Sequence, residues 1–234
     1  MTPVVNIENI KQQLYARLKP SGWSNKLKAF LLSDDFDAII LHLVDQVEDG
    51  KRFTPPLKYL LRAFEECPYN ELKVVFVGMN PYHQLGIADG IAFSCSTTGR
   101  EQPSLRRIFN AIQGAQSEAY EREVDLKRWS NQGVLMLNAA LTCHIGNIGS
   151  HIEIWRPFTT YLLDTINYEN RGLVFVFLGA DSFQFSDLIG DQHYKIAIAD
   201  PAEGLSSGKL WDHQEVFNKV NDILESNYRV RIKW

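Results

Sequence analysis

The hydrophobic pattern predicts four strands that alternate with helices along the chain. Runs of mainly apolar residues are typical of strands that are buried on both faces. Such runs occupy residues 74–77, 134–138, 173–178 and 195–198. Strands that alternate with helical segments indicate a parallel sheet covered on both sides. We therefore expect an α/β fold with a central four-stranded parallel sheet flanked by helices.

The N-terminal third of the chain is predicted to be mainly helical. Apolar residues recur at four-residue spacing from Ile10 to Leu18, and Ser33 is a candidate N-cap for a third helix. A short helix is predicted over residues 57–66, and further helices near residues 105, 125, 151 and 212. No linker or repeat divides the sequence, so we expect one domain over residues 1–234, with 1–66 as its helical part.

Composition limits the cellular compartment and the kinds of partner that we expect for the protein. The 234 residues are 45% hydrophobic and 22% charged, with a formal net charge of −4, so any contact with nucleic acid requires a locally basic face. Cys67, Cys95 and Cys143 are odd in number and widely spaced, which argues against a disulfide framework or a paired-cysteine zinc site. The first residues lack a secretory signal pattern, and no stretch approaches the roughly 20 apolar residues of a membrane span. We expect an intracellular protein, cytoplasmic or nuclear, with no membrane partner.

Polar or small residues follow each predicted strand where it ends. Ligands of parallel α/β sheets bind outside the carboxyl ends of the strands, so these positions mark a candidate site. The loop after the first strand is the most informative, since it carries Asn, Tyr, His and Gln within residues 80–84. An ordinary strand-to-helix connection is the alternative interpretation. The strand-end residues are Asn80, Asn138, Gly179 and Asp200.

Several motifs in this order resemble those of one enzyme family. Gly78-Met-Asn-Pro-Tyr-His83 with Ala92-Phe-Ser94 resembles the water-activating loop of uracil-DNA glycosylases, usually Gly-Gln-Asp-Pro-Tyr-His. The segment from Trp129 to Thr142 resembles the family's base-reading strand, and Gln102-Pro-Ser-Leu105 its Pro-Pro-Ser-Leu loop. The similarity runs from about residue 27 to the C-terminus. It implies a monofunctional glycosylase that flips out and hydrolyses uracil, or a related pyrimidine, from single- or double-stranded DNA without a metal or organic cofactor.

The resemblance also implies which residues bind the base. Asn138 would donate to uracil O4 and accept from N3–H, although a strand-end cap is its structural alternative. Phe93 would stack on the flipped base, and Tyr82 would exclude the methyl group of thymine. His83 would either hydrogen-bond within its loop or reach a phosphate. The expected substrate-binding set is Met79, Tyr82, His83, Phe93 and Asn138.

A second group of residues is expected to contact the DNA backbone. Leu205 takes the place of the leucine that family members insert into the DNA stack. Ala202 replaces a phosphate-contacting serine, so a weaker grip is expected on that side. The expected DNA-binding set is Ser104, Gly179, Ala180, Leu205 and Ser206.

Two departures from the family pattern fall on the expected catalytic residues. Asn80 replaces the aspartate that positions the attacking water, in a Gly-Met-Asn-Pro form that resembles single-strand-selective and mismatch-type relatives. Asp200 replaces the histidine of His-Pro-Ser-Pro-Leu-Ser, which stabilises charge on uracil O2. An ionised Asp200 would repel the departing base, whereas a protonated or displaced carboxyl group would assist catalysis. Two interpretations of Asn80 and Asp200 stay open: one substitution compensates for the other, or the catalytic site has lost its function.

Three functions therefore remain open for this fold. The first is excision of uracil by a weakened or altered site. The second is a catalytically silent DNA- or protein-binding module, which Asp200 and Ala202 favour. The third is a glycosylase with specificity for a modified base. In each case we expect a monomer; DNA is the partner expected of a glycosylase, with a protein inhibitor or a replication protein as a further candidate.

Overall fold

The computed structural model describes residues 6–115, 121–205, 211–213 and 215–234, and a four-stranded sheet forms its centre. Its strands are β1 (Val74–Gly78), β2 (Val134–Asn138), β3 (Val174–Leu178) and β4 (Tyr194–Ile198). All neighbouring strands of this sheet are parallel, in the spatial order β2-β1-β3-β4. The predicted α/β class and the predicted four-stranded parallel sheet are confirmed.

The helices of the described residues lie before, between and after these strands. They are α1 (Ile7–Leu18), α2 (Trp23–Leu31), α3 (Asp34–Glu48), α4 (Arg62–Glu66), α5 (Pro103–Ala115), α6 (Lys127–Ser130), α7 (Ile152–Glu169), α8 (Ala180–Phe183) and α9 (Glu215–Tyr228). The predicted cap of α3 is present, since the Ser33 hydroxyl accepts the backbone N–H of Phe36 at 3.4 Å.

Three details of the prediction are wrong. The fourth strand is not buried like the others: every residue of β1, β2 and β3 is buried, whereas Ile196 is the one buried residue of β4. β2 is also an outermost strand and is buried throughout, so the exposure of β4 means that its two faces are covered less completely, and its place at the margin does not explain it. The helix expected over 57–66 is divided into a 3₁₀ turn at Leu57–Tyr59 and α4. The segment expected to begin a helix near residue 125 forms only the single turn α6.

A short antiparallel pair, Phe53–Thr54 with Cys143–His144, was not predicted. Two-residue strands contain too little alternation for a pattern to be recognised. The pair fixes the segment after β2 to residues 53–54, and the same segment contacts the loop that follows β1 through the hydrogen bond from the Gly146 N–H to the His83 carbonyl. No helix of the described ranges is both long enough and apolar enough to cross a bilayer.

Parallel register brings the strand ends to one edge of the sheet. Gly78 at the end of β1 is paired with Asn138 at the end of β2, and Leu178 of β3 with Ile198 of β4. The residues that follow each strand therefore emerge side by side, as parallel topology requires. This edge holds the candidate site.

Candidate active site

A cleft of about 310 Å³ lies at the carboxyl edge of the sheet. It brings together residues from the loop after β1, the start of α5 and the turn after β4, which are distant in sequence. Eight residues expected from the sequence are among those that line it: Met79, Asn80, Tyr82, His83, Phe93, Ser104, Asp200 and Leu205.

Asn138 lies at the inner end of this arrangement, in a small adjoining cavity that Tyr82 and Phe93 also line. Its side chain is almost buried, with 9% of the residue exposed, and no hydrogen bond joins its amide to another residue of the described chain. A strand-end cap would use that amide, so the contacts do not support the structural alternative. The amide is available to a ligand that offers one acceptor and one donor.

The side chains of Asn138 and Phe93 both lie next to the Cα atom of Gly78. A β-carbon added to Gly78 would lie 2.9 Å from Asn138 Oδ1 and 3.3 Å from the ring of Phe93. Both contacts are closer than ordinary van der Waals distance, so a side chain here would displace the amide or the ring. The absence of a side chain at Gly78 is what allows the amide and the aromatic ring to approach each other.

Phe93 has a backbone conformation that is rare for a bulky residue. Its φ angle is 63°, in the left-handed region, where a side chain of this size is strained. The Tyr82 hydroxyl donates to the Phe93 carbonyl at 2.9 Å, which fixes one side of the strained residue. Burial raises the pKa of that Tyr82 hydroxyl well above its ordinary value, so it remains a neutral donor.

Buried Asp89 holds the segment around Phe93 from beneath. Its carboxylate accepts the backbone N–H of Ile91 at 3.2 Å and the hydroxyl of Ser94 at 2.6 Å. The Arg62 guanidinium lies 2.8 Å from the same carboxylate and also binds Asp125 at 2.7 Å. A buried charge that is paired and hydrogen-bonded in this way fixes its surroundings. This network offsets the strain at Phe93.

The side chain of Asn80 is fixed to its surroundings at both ends. Its Nδ2 donates to the carbonyl of Pro81 at 2.7 Å, and its Oδ1 accepts the backbone N–H of Gly149 at 3.0 Å. The sulfur of Cys143 lies 3.8 Å from the same nitrogen. These partners settle which end of the amide is oxygen, because Pro81 can only accept and Gly149 can only donate. Both N–H groups of the amide therefore have partners, and one lone pair of Oδ1 remains for a ligand.

Asp200 lies in a tight turn after β4. One carboxylate oxygen accepts the backbone N–H of Ala202 at 2.7 Å, and the Asp200 carbonyl accepts the N–H of Glu203 at 2.9 Å. Burial raises the pKa of the Asp200 carboxyl, and the charges of Glu203 and Asp181 raise it further, whereas the Ala202 hydrogen bond acts in the opposite direction. Asp200 therefore retains its proton to higher pH than an exposed aspartate.

Arg107 on α5 holds the turn that carries Leu205, and sequence reasoning missed it. Its Nη1 donates to the carbonyls of Pro201 at 3.1 Å and Glu203 at 2.6 Å. Its Nη2 donates to the carbonyl of Gly204 at 3.3 Å. Contacts of an arginine to backbone carbonyls nearly a hundred residues away leave no local sequence pattern, so no signal could have revealed this role.

The remaining expected residues have less specific surroundings. Leu205 is exposed to 38% and lies on the rim of the cleft, and Ser104 is buried at the start of α5. Gly179 has a φ of 86°, and a β-carbon there would lie 3.1 Å from that of Asp200, so it packs directly on the turn. Ala180 is exposed at the start of α8 and is not among the cleft residues, and Ser206 lies outside the described residues.

Two histidines differ in their hydrogen bonds. His83 lines the cleft, and its Nε2 lies 3.2 Å from the side-chain nitrogen of Gln84. Its Nδ1 is buried without a partner in the described chain. His151 is fully buried and contacts the Thr142 hydroxyl at 2.8 Å, and burial lowers its pKa to about 4. His151 is therefore neutral near neutral pH and packs against Thr142 in the segment that follows β2.

The donor set of the site has no metal-binding character. No group of three or more His, Cys, Asp or Glu side chains in the described ranges is arranged to hold a metal ion. The groups that do converge are amides, a phenol, an aromatic ring and one carboxyl group. Such a set suits recognition of a planar, neutral heterocycle by stacking and hydrogen bonds.

Comparison with known proteins identifies the family of this chain. The family model described as the uracil DNA glycosylase superfamily matches residues 64–225. A uracil-DNA glycosylase of Christiangramia forsetii is 30% identical over 215 residues, covering 91% of this chain and 97% of the relative. One from Acinetobacter baumannii is 31% identical, covering 91% of each chain.

Solved structures give the same result for the fold. The crystal structure of mimivirus uracil-DNA glycosylase superimposes with a TM-score of 0.83 at 22% identity, covering 98% of this chain and 89% of that one. A variant of the mimivirus protein in complex with UGI gives 0.82 at 22% identity, covering 98% of this chain and 91% of that one. Identities at this level show the fold alone, whereas the family model and the curated relatives go further. The chain therefore belongs to the uracil-DNA glycosylase superfamily.

Proposed function

We propose that this protein excises uracil from DNA by hydrolysis of the N-glycosidic bond, through a site with altered catalytic groups. The observation that carries the proposal is the pair formed by the free amide of Asn138 and the ring of Phe93 above Gly78. An amide and an aromatic face at this spacing can read the edge of a pyrimidine and stack on it.

The reaction places two opposite demands on the site. The bond between C1′ and N1 breaks with its electron pair going to the base, which leaves a uracil anion and a cationic sugar. Water then adds to C1′ and loses a proton, which the base takes up. The site must therefore donate hydrogen bonds near the base oxygens and hold a water on the sugar side.

Asn138 would read the base. Its Nδ2 would donate to uracil O4, and its Oδ1 would accept N3–H. Tyr82 and Phe93, joined by the hydrogen bond between hydroxyl and carbonyl, would form a rigid wall and a stacking surface. Met79 and His83 complete the lining on the loop side.

Asn80 would hold the attacking water in place of the family's aspartate. Its amide is oriented by Pro81 and Gly149 and keeps one lone pair free for a water proton. A neutral amide provides no negative charge to stabilise the sugar cation, so this substitution predicts slow chemistry.

Asp200 would act on the base side of the pocket. In its protonated form the carboxyl group can donate to uracil O2, and its raised pKa extends the pH range in which it does so. In its ionised form it opposes the negative charge that develops on the base. Asp200 is therefore a conditional donor, weaker than the histidine that the family uses.

The proposal is tested with oligonucleotides that carry U, T, hydroxymethyluracil or C, in single and double strands. Abasic sites are detected by cleavage in alkali after incubation with the wild type and with Asp200→His. The expected result is slow excision of uracil, faster in Asp200→His by up to roughly the 10²–10³-fold attributed to one oriented donor. Asn138→Ala is the matched control, since it removes the base-reading amide from the same cleft.

The outcome also decides between the alternatives. An active wild type that Asp200→His inactivates would mean that Asp200 serves the sugar or the water, and Asn80→Asp with Asp200→His should then restore activity non-additively. Faster release of hydroxymethyluracil than of uracil would indicate specificity for a modified base. Inactivity of every variant on every base would indicate a silent binding module, which Asp200 and Ala202 favour.

A further inference from the structure

The distribution of charge around the cleft is asymmetric. On the side of the Leu205 turn, three acidic residues lie close together, since Asp181 and Glu203 both act on the carboxyl of Asp200. The phosphate-contacting serine of the family is Ala202 on this side. A DNA phosphate beside these three residues would be repelled by their ionised carboxyl groups.

The opposite side carries cations in a second depression, which we call the basic groove. It is about 660 Å³ in volume, and Lys51, Arg52, His144, Leu85 and Asn147 are among its lining residues. Arg52 is exposed and has no ion pair with any residue of the described chain, and Lys51 is 4.0 Å from its nearest acidic partner, Asp49. These cations are free to bind an anion.

The basic groove is continuous with the cleft. Gln84 lines the cleft and the next residue, Leu85, lines the groove; likewise Ile148 lines the cleft and Asn147 the groove. The backbone fixes this boundary, since the carbonyl of His83 accepts the N–H of Gly146 at 2.9 Å. The cleft and the groove thus share a boundary at residues 84–85 and 147–148, across which a DNA strand can pass from one to the other.

Leu85 and Ile148 give the boundary an apolar character. They are exposed to 62% and 57%, and both project from loops at the rim. Exposed apolar surface beside cations suits a single strand, whose bases need a surface to lie on while its phosphates need positive charge. A rigid duplex would use the phosphate contacts but not the apolar surface.

We propose that the basic groove binds the DNA strand that continues from the flipped nucleotide, and that Lys51 and Arg52 contact its phosphates. This inference rests on the proposed function and adds the path of the strand. With a net charge of −4 on the whole protein, affinity for DNA depends on such a local site. On this path the strand lies along the His144 side of the cleft, where Lys51 and Arg52 provide positive charge.

The test measures binding without catalysis. A labelled, uracil-free single strand with a tetrahydrofuran abasic analogue is titrated by fluorescence anisotropy against wild type and Lys51→Gln/Arg52→Gln at several salt concentrations. Loss of two phosphate contacts reduces the slope of log K against log salt by about 1.4, since each contact contributes about 0.7 for single strands. The affinity should then fall about 25-fold at about 0.1 M salt, and the difference should vanish near about 1 M.

The matched control is Lys28→Gln/Lys233→Gln, which removes the same charge from exposed positions elsewhere. Lys28 follows Lys26, which pairs with Glu169 near the start of β3, and the N–H of Lys233 binds Gln132 before β2, so both lie at the opposite edge of the sheet. Its affinity and salt slope should equal those of the wild type. Strands extended on only the 5′ or only the 3′ side of the analogue should differ in their response to the groove variant.

Specific results would overturn the inference. Equal affinity and slope in the wild type and the groove variant would exclude the groove while leaving the glycosylase intact. An equal loss in both double variants would mean that only overall charge matters. A wild type that neither binds DNA nor excises uracil would instead refute the proposed function itself. Equal thermal unfolding midpoints establish that the variants are folded.

Discussion

Replacement of Arg107 by methionine should impair excision from duplex DNA more than from single strands. The guanidinium binds three backbone carbonyls of the turn between Asp200 and Leu205, at 2.6 to 3.3 Å. Methionine retains much of the aliphatic stem but cannot donate. The turn would still have its own hydrogen bonds, such as that from the Ala202 N–H to the carboxyl of Asp200.

The magnitude follows from the hydrogen bonds that are lost. Bonds from a charged donor contribute about 1.5–3 kcal/mol each, so the two shorter bonds at the low end amount to about 3 kcal/mol. That corresponds to about 100-fold in the equilibrium between ordered and open turn. Water can replace part of the loss at the more exposed carbonyls, so we expect duplex excision to fall by about 10- to 100-fold. Single strands need no wedge and should lose less than about threefold.

The assay is single-turnover excision on matched single- and double-stranded substrates, with Arg106→Met as the control. Arg106 is the neighbouring arginine of α5 and is exposed, and among the described residues its side chain binds Glu101 alone, so its loss should have little effect. Salt dependence separates two explanations for a positive result. A positioning role leaves the salt slope of DNA binding unchanged, whereas a direct phosphate contact lowers it by about 0.9. Equal losses on both substrates, or a lowered slope, would refute the positioning role.

Four further results are expected. Asn138→Asp should weaken uracil handling by about 1–3 kcal/mol and shift preference toward cytosine, whose N4 is a donor; unchanged discrimination in a competition assay would contradict this role. Gly78→Ala should impair excision much more than it lowers the unfolding midpoint, because the new methyl group meets Asn138 Oδ1 at 2.9 Å and the Phe93 ring at 3.3 Å. Leu205→Ala should reduce excision from duplex more than from single strands, and equal losses would identify a packing residue. Excision should decline as pH rises through the raised pKa of Asp200, since ionisation removes its donor, and Asp200→Asn should flatten this part of the pH profile.

The sheet and its polar edge could be predicted because they depend on local pattern. Uninterrupted apolar runs such as Val74–Val77 identify buried strands, and parallel topology then places Asn80, Asn138 and Asp200 at one edge. The exposed fourth strand was mispredicted because a short apolar segment such as Ile196–Ile198 does not reveal how completely other elements cover the two faces of the strand.

The fine structure of the site could not be predicted, because it depends on contacts between distant segments. The Arg107 contacts span nearly a hundred residues, and Asn80 is oriented by Gly149 from another loop. The strained backbone of Phe93 likewise depends on Asp89 and Arg62, whose pairing joins separate elements. The resemblance indicated residues that line the cleft, whereas the contacts that support them depend on the fold of the whole chain.

The anchored amide of Asn80 also constrains how this sequence can change over evolutionary time. A direct return to aspartate would place a carboxylate oxygen where Nδ2 now lies, 2.7 Å from the Pro81 carbonyl, and two acceptors at that distance repel. An aspartate at residue 80 would therefore meet a backbone arranged for the amide, and this single substitution would be unfavourable. Changes in the loop around Gly149 would have to accompany it. A substitution at Asp200 does not meet this obstacle, so the two sites differ in how readily a single change is tolerated.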